Sequence, residues 1–166
     1  MRFFFAFIII INVILFGLGN VVQAKTINHP IENTSANNTN NAGVDKLINY
    51  FFAAARTGDN EIINRFLDAG FPIDQVNSQS YTPLMVAAYS GQYETTQLLL
   101  QCGANACIQD KRGNTAIMGA LIKAEVSIAR LLYSQKCDET LTNKSGLTVQ
   151  EFAQYWGQAE ALNVAQ

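Results

Sequence analysis

The feature that most constrains this chain is the recurrence of the same residue types every 33 positions. Alanine forms one column, made of Ala54, Ala87, Ala120 and Ala153. Threonine and glycine form two more, made of Thr82, Thr115 and Thr148 and of Gly58, Gly91 and Gly157, with Ala124 in the remaining glycine slot. Two further columns contain Asn77, Asp110 and Asn143, and Gly70, Gly103 and Lys136. A fixed period of this length predicts a stack of small units that pack mainly on their neighbours.

Within each unit the pattern predicts two short helices joined by a turn. Thr82 precedes Pro83, which is typical of a helix start, because a proline in the first turn loses no hydrogen bond. The glycine column that contains Gly91 then predicts a left-handed turn at the end of the first helix. An apolar run follows and predicts a second helix with one buried face. In successive units this run contains Ile62, Ile63, Phe66 and Leu67, then Leu98, Leu99 and Leu100, then Ile128, Leu131 and Leu132.

These units resemble the ankyrin repeat, whose pattern is a turn, Gly-x-Thr-Pro-Leu-His, a pair of alanines, a glycine and a helix ending in Leu-Leu-x-x-Gly-Ala. Residues 81–91 read Tyr-Thr-Pro-Leu-Met-Val-Ala-Ala-Tyr-Ser-Gly, and residues 98–104 read Leu-Leu-Leu-Gln-Cys-Gly-Ala. The resemblance covers residues 45–166 and implies an all-α solenoid of about four helix-turn-helix units with short hairpin or turn connections. The units span residues 45–77, 78–110, 111–143 and 144–166.

The chain departs from that pattern in three places. Met85 and Met118 stand where the family has histidine, so the side-chain to backbone hydrogen bond usual there is expected to be lost. The third unit has Ala124 and Lys136 in its two glycine slots and must turn without glycine. The fourth unit lacks the second-helix pattern, which leaves residues 158–166 as a short terminal cap. We expect the third and fourth units to be the less stable end.

The N-terminal segment predicts export. Arg2 is followed by an apolar run over residues 3–19, and Ala24 suits a signal peptidase, so residues 1–24 are interpreted as a cleaved signal peptide. The alternative is an uncleaved membrane anchor, because 17 residues lie at the lower limit of a spanning helix. Residues 25–44 are rich in Asn and Thr and are interpreted as a flexible linker, which contains His29, the one histidine. We expect a periplasmic or secreted protein.

Composition and residue content argue against several function classes. The net charge is −2, and it becomes −3 once Arg2 is removed with the signal peptide, so binding of nucleic acid through phosphate neutralisation is not expected. The repeat region has no histidine, no Cys-x-x-Cys and no phosphate-binding glycine loop, so we predict no catalytic residue, metal site, cofactor or small-molecule substrate. The acidic pairs Asp59 with Glu61 and Asp138 with Glu139 are interpreted as solvated helix edges and turns.

Three cysteines are present in a chain that is predicted to reach an oxidising compartment. Cys102 and Cys137 lie near the ends of second helices in adjacent units, so a disulfide between them is one hypothesis. Equivalent positions in stacked units lie too far apart for a disulfide, and only the two-residue offset of this pair from the period brings it closer. A bond involving Cys107, or three free thiols, remain alternatives.

The resemblance also implies where a partner binds, because ankyrin units vary at the hairpin tips and on the exposed side of the first helix, which line a concave surface. The residues that fall there and have side chains suited to binding are Arg56, Tyr81, Tyr89, Lys111, Arg112, Ile122, Lys123, Tyr155 and Trp156. Aromatic and arginine side chains on one face are typical of protein-binding hot spots. Lys111, Arg112 and Lys123 are equally compatible with solubilising charge, and Tyr155 and Trp156 with a cap on the open end of the stack.

We therefore predict a non-catalytic, monomeric protein that is exported and binds a protein partner through its concave face. Exported bacterial proteins that resemble it either accompany oxidative-stress enzymes such as catalases or neutralise toxins as immunity proteins, and the sequence favours neither role. One alternative is a membrane-tethered ankyrin scaffold with an uncleaved N-terminal anchor. The other is an enzyme with a carboxylate-only site, which would need two acids that converge in a pocket.

Overall fold

The computed structural model describes residues 34–163, with side chains from residue 42 onward. The predicted signal peptide, residues 25–33 of the predicted linker and residues 164–166 lie outside this range. Between residues 34 and 163 the chain is helical and has no strand, so the predicted all-α class is confirmed. The α-helices are α1 Thr34–Thr57, α2 Asn60–Asp68, α3 Pro83–Tyr89, α4 Tyr93–Gln101, α5 Ala116–Ile122, α6 Val126–Tyr133 and α7 Val149–Tyr155. A single 3-10 turn, Ala159–Leu162, follows α7.

The first helices of successive units begin at the threonine column. The Thr82 hydroxyl accepts a hydrogen bond of 3.2 Å from the Met85 amide, and Pro83 occupies the first position of α3. The Thr82 amide donates to the Met85 sulfur at 3.5 Å, so the methionine partly replaces the hydrogen bond that its presence was expected to remove. At the start of α7, Glu151 accepts from both the amide and the hydroxyl of Thr148 at 2.8 Å.

The turns that end the helices are left-handed whether or not glycine is present. Gly58, Gly91 and Gly157 have φ angles of 79°, 73° and 66°. In the third unit Ala124 and Lys136 adopt φ angles of 56° and 52°, although each carries a Cβ. A residue other than glycine in this conformation costs about 1–2 kcal/mol, so the third unit contains two strained turns.

The core lies in the seams between units. The members of the alanine column are buried, which lets the first helices of neighbouring units approach closely. Leu99 and Ile128 supply the buried apolar face of the second helices, and Met118 and Leu121 fill the seam beside α5. Because each seam is shared by two units, none of the units has a complete core of its own.

Helix α1 begins before the predicted start of the first unit at residue 45. The prediction placed a flexible linker as far as residue 44, but α1 starts at Thr34 and runs for 24 residues. The exposed segment from Ala42 to Leu47 continues the buried part of α1 around Phe51. Once a helix has nucleated on a packed segment, each added residue loses backbone freedom but gains one hydrogen bond. A polar segment can therefore extend such a helix.

In the fourth unit the 3-10 turn Ala159–Leu162 lies where the earlier units have a second α-helix. Ala161 is buried in this turn and Leu162 packs against the core. Among residues 34–163, no helix combines the length and the apolar character needed to cross a membrane.

Candidate partner-binding groove

A groove of about 640 Å³ runs along the side of the stack formed by the first helices and the hairpin tips. Its walls come from α1, α3 and α5, from the turns that precede α3 and α5, and from the end of α7. The residues that line it are Arg56, Tyr81, Met85, Val86, Tyr89, Ser90, Asp110, Arg112, Asn114, Thr115, Gly119, Ile122 and Trp156.

Tyr89, the last residue of α3, lies against this groove and is 49% exposed. The neighbouring helix α5 has Gly119 at the facing position, and a Cβ added there would lie 3.7 Å from the Tyr89 Cβ. The Lys123 ammonium lies 5.3 Å from the centre of the Tyr89 ring, a cation–π distance. The absence of a side chain at Gly119 therefore leaves room for Tyr89, and the Lys123 ammonium lies over the Tyr89 ring.

Local hydrogen bonds hold the hairpin tip beside the groove. One carboxylate oxygen of Asp110 accepts from the backbone amides of Arg112 at 2.7 Å and Asn114 at 2.8 Å. The side-chain amide of Asn143, 29 residues further along the chain, donates to the Asn114 side-chain oxygen at 3.0 Å. The Lys111 ammonium donates to the Ser78 carbonyl of the preceding tip. These bonds hold the Arg112 backbone, while the Arg112 side chain remains exposed.

The C-terminal end of the groove is formed by Trp156. Its ring centroid lies 6.1 Å from that of Phe152, and the residue is 44% exposed. Tyr155 lies outside the groove and is 76% exposed, with its ring 5.9 Å from that of Trp156. Trp156 thus contacts both the buried end of the stack and the groove, whereas Tyr155 projects from the surface.

The structure brings together most of the residues predicted to bind a partner. The predicted residues that line the groove are Arg56, Tyr81, Tyr89, Arg112, Ile122 and Trp156. Lys123 contacts the groove only through the Tyr89 ring, and Lys111 and Tyr155 lie outside it. Sequence reasoning missed part of the floor, namely Val86 and Gly119. These two residues are one period apart, so the repeat register itself was the signal that could have found them.

Thr115 lies at the bottom of the groove and is 3% exposed. Its hydroxyl has no hydrogen-bond partner among the described residues, unlike those of Thr82 and Thr148. α5 therefore begins without a side-chain cap. A buried hydroxyl with no partner has a desolvation cost of about 1–3 kcal/mol.

The hypothesis of a disulfide between Cys102 and Cys137 is wrong. The structure pairs Cys107 with Cys137, with Cα atoms 5.5 Å apart, and leaves Cys102 free and exposed at the end of α4. The loop that contains Cys107 reaches the residues that directly follow the next second helix, so this pair is separated by fewer residues than the 33-residue period. The Asn105 amide shows the same offset, because it bonds to Asp74 at a separation of 31 residues. The disulfide has a separation of 30, whereas the rejected pair is 35 apart.

The carboxylates with shifted pKa values lie outside the groove. Hydrogen bonds from the Thr140 hydroxyl and amide lower the pKa of Asp138, and hydrogen bonds from the Thr148 amide and hydroxyl lower that of Glu151. Both shifts follow from local turn or cap geometry. Among the described residues no group of His, Cys, Asp and Glu side chains is arranged to hold a metal ion.

Comparison with known families agrees with this geometry. A family model described as ankyrin repeats, in three copies, matches residues 21–110 and 50–143. The chain belongs to the ankyrin repeat family. Ankyrin repeats form protein–protein interaction modules, and the groove lies on the face that the repeats build from their first helices and tips.

Relatives of this ankyrin repeat protein occur in bacteria, fungi and plants. It is 32% identical over 101 residues to an ankyrin repeat-containing protein of Treponema pallidum (strain Nichols), covering 60% of this chain and 34% of that protein. It is 40% identical over 68 residues to Protein HOS4 of Saccharomyces cerevisiae, covering 40% and 6%. It is 36% identical over 81 residues to the potassium channel AKT2/3 of Arabidopsis thaliana, covering 49% and 10%. The aligned part is thus about a third or less of these relatives.

Proposed function

We propose that this ankyrin repeat protein is exported and binds a protein partner through the groove. The proposal depends on one observation: residues of the second, third and fourth units line the same groove. They are Tyr81, Tyr89, Arg112 and Trp156. Tyrosine, tryptophan and arginine are the residues most enriched in binding hot spots. The tip hydrogen bonds and the Lys123–Tyr89 contact reduce the ordering needed on binding.

Two observations support export. Residues 1–24 have the charged start, apolar run and small final residue of a signal peptide. The Cys107–Cys137 disulfide is of a kind that persists in oxidising compartments such as the periplasm. Mass spectrometry of the protein recovered from its producing cells tests this step. Cleavage after Ala24 supports export as a free protein, whereas an intact N-terminus favours the membrane-tethered scaffold.

Within this proposal the partner is either a toxin that the protein neutralises or an oxidative-stress enzyme such as a catalase that it accompanies. Both roles require a stable binding groove, and neither requires this protein to have a catalytic residue. A toxin partner predicts that the protein restores growth to cells that produce the toxin. An enzyme partner predicts that deleting the protein lowers the recoverable activity of that enzyme.

A pair of tyrosine variants tests the binding surface. Tyr89→Asp places a charge in the groove, and we expect it to abolish recovery of the partner from a periplasmic extract. Tyr93→Asp is the matched control, because Tyr93 is 37% exposed on α4 and does not line the groove. Ile122→Asp is a second groove variant. Thermal unfolding checks that each variant is folded, and equal partner recovery by folded Tyr89→Asp and Tyr93→Asp would disprove binding through the groove.

A further inference from the structure

The charge of the groove is opposite to that of the whole chain. The chain has a net charge of −2, yet Arg56 and Arg112 line the groove and Lys123 lies at its edge. Asp110 is the one acidic residue among those that line it. A groove with positive electrostatic potential on a protein of net negative charge attracts the negatively charged surface of a partner to that groove.

These cations are available to a partner. Among the described side chains the one ion pair is Arg65–Glu61 on α2, so none of the three groove cations is paired with a described carboxylate. Asp110 forms no ion pair with Arg112, and one of its carboxylate oxygens accepts hydrogen bonds from the backbone amides of Arg112 and Asn114. The Arg56 backbone is also fixed, since its carbonyl accepts a hydrogen bond of 3.1 Å from Gln92.

The floor between the cations is apolar. Met85, Val86 and Ile122 line it, and Tyr89 and Trp156 border it. An apolar strip bordered by arginines fits a segment that has one or two large apolar side chains at its centre and carboxylates on either side. Arginine binds a carboxylate through two parallel hydrogen bonds, which adds direction to the charge attraction.

We propose that the occupant of the groove is an acidic segment of a partner protein, with a central aromatic or aliphatic residue that contacts the floor. This inference rests on the proposed function, because it names the kind of partner that the same groove binds. Arg56 and Arg112 bind the carboxylates, and the Lys123 charge adds to the field. The partner is a protein and not a nucleic acid, because a few cations around an apolar floor match spaced carboxylates better than a continuous phosphate chain.

Selection from a displayed library of random twelve-residue peptides on the full chain tests this inference. We expect the enriched peptides to contain Asp and Glu on both sides of a Trp, Tyr, Phe or Leu. For one such peptide, the double variant Arg56→Gln/Arg112→Gln should raise the Kd about tenfold, which corresponds to two charge contacts of about 0.7 kcal/mol each. Arg130→Gln on α6, outside the groove, is the control and should leave the Kd within about twofold.

The outcomes separate this inference from the proposed function. Peptides that lose binding with Tyr89→Asp but are neutral or basic would overturn the acidic partner and leave the groove as the binding surface. Peptides that bind equally to wild type and Tyr89→Asp would overturn both. Failure of the library to enrich acidic sequences, or binding of a random single-stranded oligonucleotide as tightly as the best peptide, would also refute the acidic segment. Arg56 and Arg112 are exposed and donate no side-chain hydrogen bond to the described residues, so their variants are expected to fold.

Discussion

The backbone amide of Lys144 donates a hydrogen bond of 2.9 Å to the carbonyl of Arg112, and this bond brings two successive hairpin tips into direct contact. Gly113 lies beside it with a φ of 77°. A Cβ added to Gly113 would lie 2.9 Å from both the Asn143 Cα and the Lys144 nitrogen. One period later, Gly146 has a φ of 76° and no atom within 4 Å of an added Cβ.

These two glycines form a matched pair for a stability measurement. Gly146→Ala should cost about 1 kcal/mol, because only the left-handed backbone is strained. Gly113→Ala should cost about 3 kcal/mol, because the added methyl group also collides with the backbone of Asn143 and Lys144. The hydrogen bond from Lys144 to Arg112 holds that backbone close to Gly113. Urea unfolding of both variants measures the difference. Equal losses would show that the tips are not in contact.

The threonine column provides a second matched pair. Thr115→Val should change the free energy of unfolding by less than about 0.5 kcal/mol or raise it, because the hydroxyl that is removed has no partner among the described residues. Thr82→Val should lower it by about 1 kcal/mol, since the cap bond to the Met85 amide is lost. Thermal unfolding of the two variants under the same conditions compares them. A larger loss for Thr115→Val than for Thr82→Val contradicts the geometry described.

Removal of the disulfide should weaken the connection between the second and third units. The double variant Cys107→Ser/Cys137→Ser should lose about 3–4 kcal/mol, because the bond closes a loop with a sequence separation of 30 residues. Cys102→Ser should be neutral, since this thiol is exposed and free. Unfolding with and without reductant measures the loss. Peptide mapping of the unreduced protein checks the pairing, and recovery of a peptide that links Cys102 to Cys137 would refute it.

The cap of α7 should make stability depend on pH in the acid range. Hydrogen bonds from Thr148 lower the pKa of Glu151 below its ordinary value of 4.5. The resulting stabilisation is present above that ordinary value and is lost as the pH falls through the lowered pKa of the folded state. Glu151→Gln keeps an acceptor for the cap but does not titrate, so its melting temperature should fall less between pH 7 and pH 3. An unchanged acid slope in Glu151→Gln would show that the cap does not contribute.

The helical stack could be predicted from the sequence because its signals are local and repeated. The Thr82-Pro83 start, the buried alanine column and the left-handed turn at Gly91 each follow from one or two residues. The family resemblance then placed the groove residues on one face. Glycine alone does not identify every left-handed turn, because Ala124 has a positive φ in the column where the other units have glycine. Its position in the repeat, and not its residue type, indicates this turn.

Other features depended on how units meet and were not predictable in the same way. The start of α1 at Thr34 is not evident from an Asn-rich and Thr-rich composition, since nothing local distinguishes a helical extension from a linker. The Cys107–Cys137 pair requires knowledge of how far a loop advances toward the next unit. The missing hydrogen bond of the Thr115 hydroxyl could not be predicted either, because the equivalent threonine one unit earlier, Thr82, forms a cap.

Gly119 has a consequence for how such a protein can change its partner. Val86 and Gly119 occupy the same register position in adjacent units, and both form the floor of the groove. Their sizes differ, so equivalent positions of the repeat give the floor of the groove an uneven height. A side chain added at Gly119 would fill the recess beside Tyr89, where an added Cβ lies at an ordinary contact distance of 3.7 Å from the Tyr89 Cβ. Recognition can therefore diverge in this protein while its architecture stays the same.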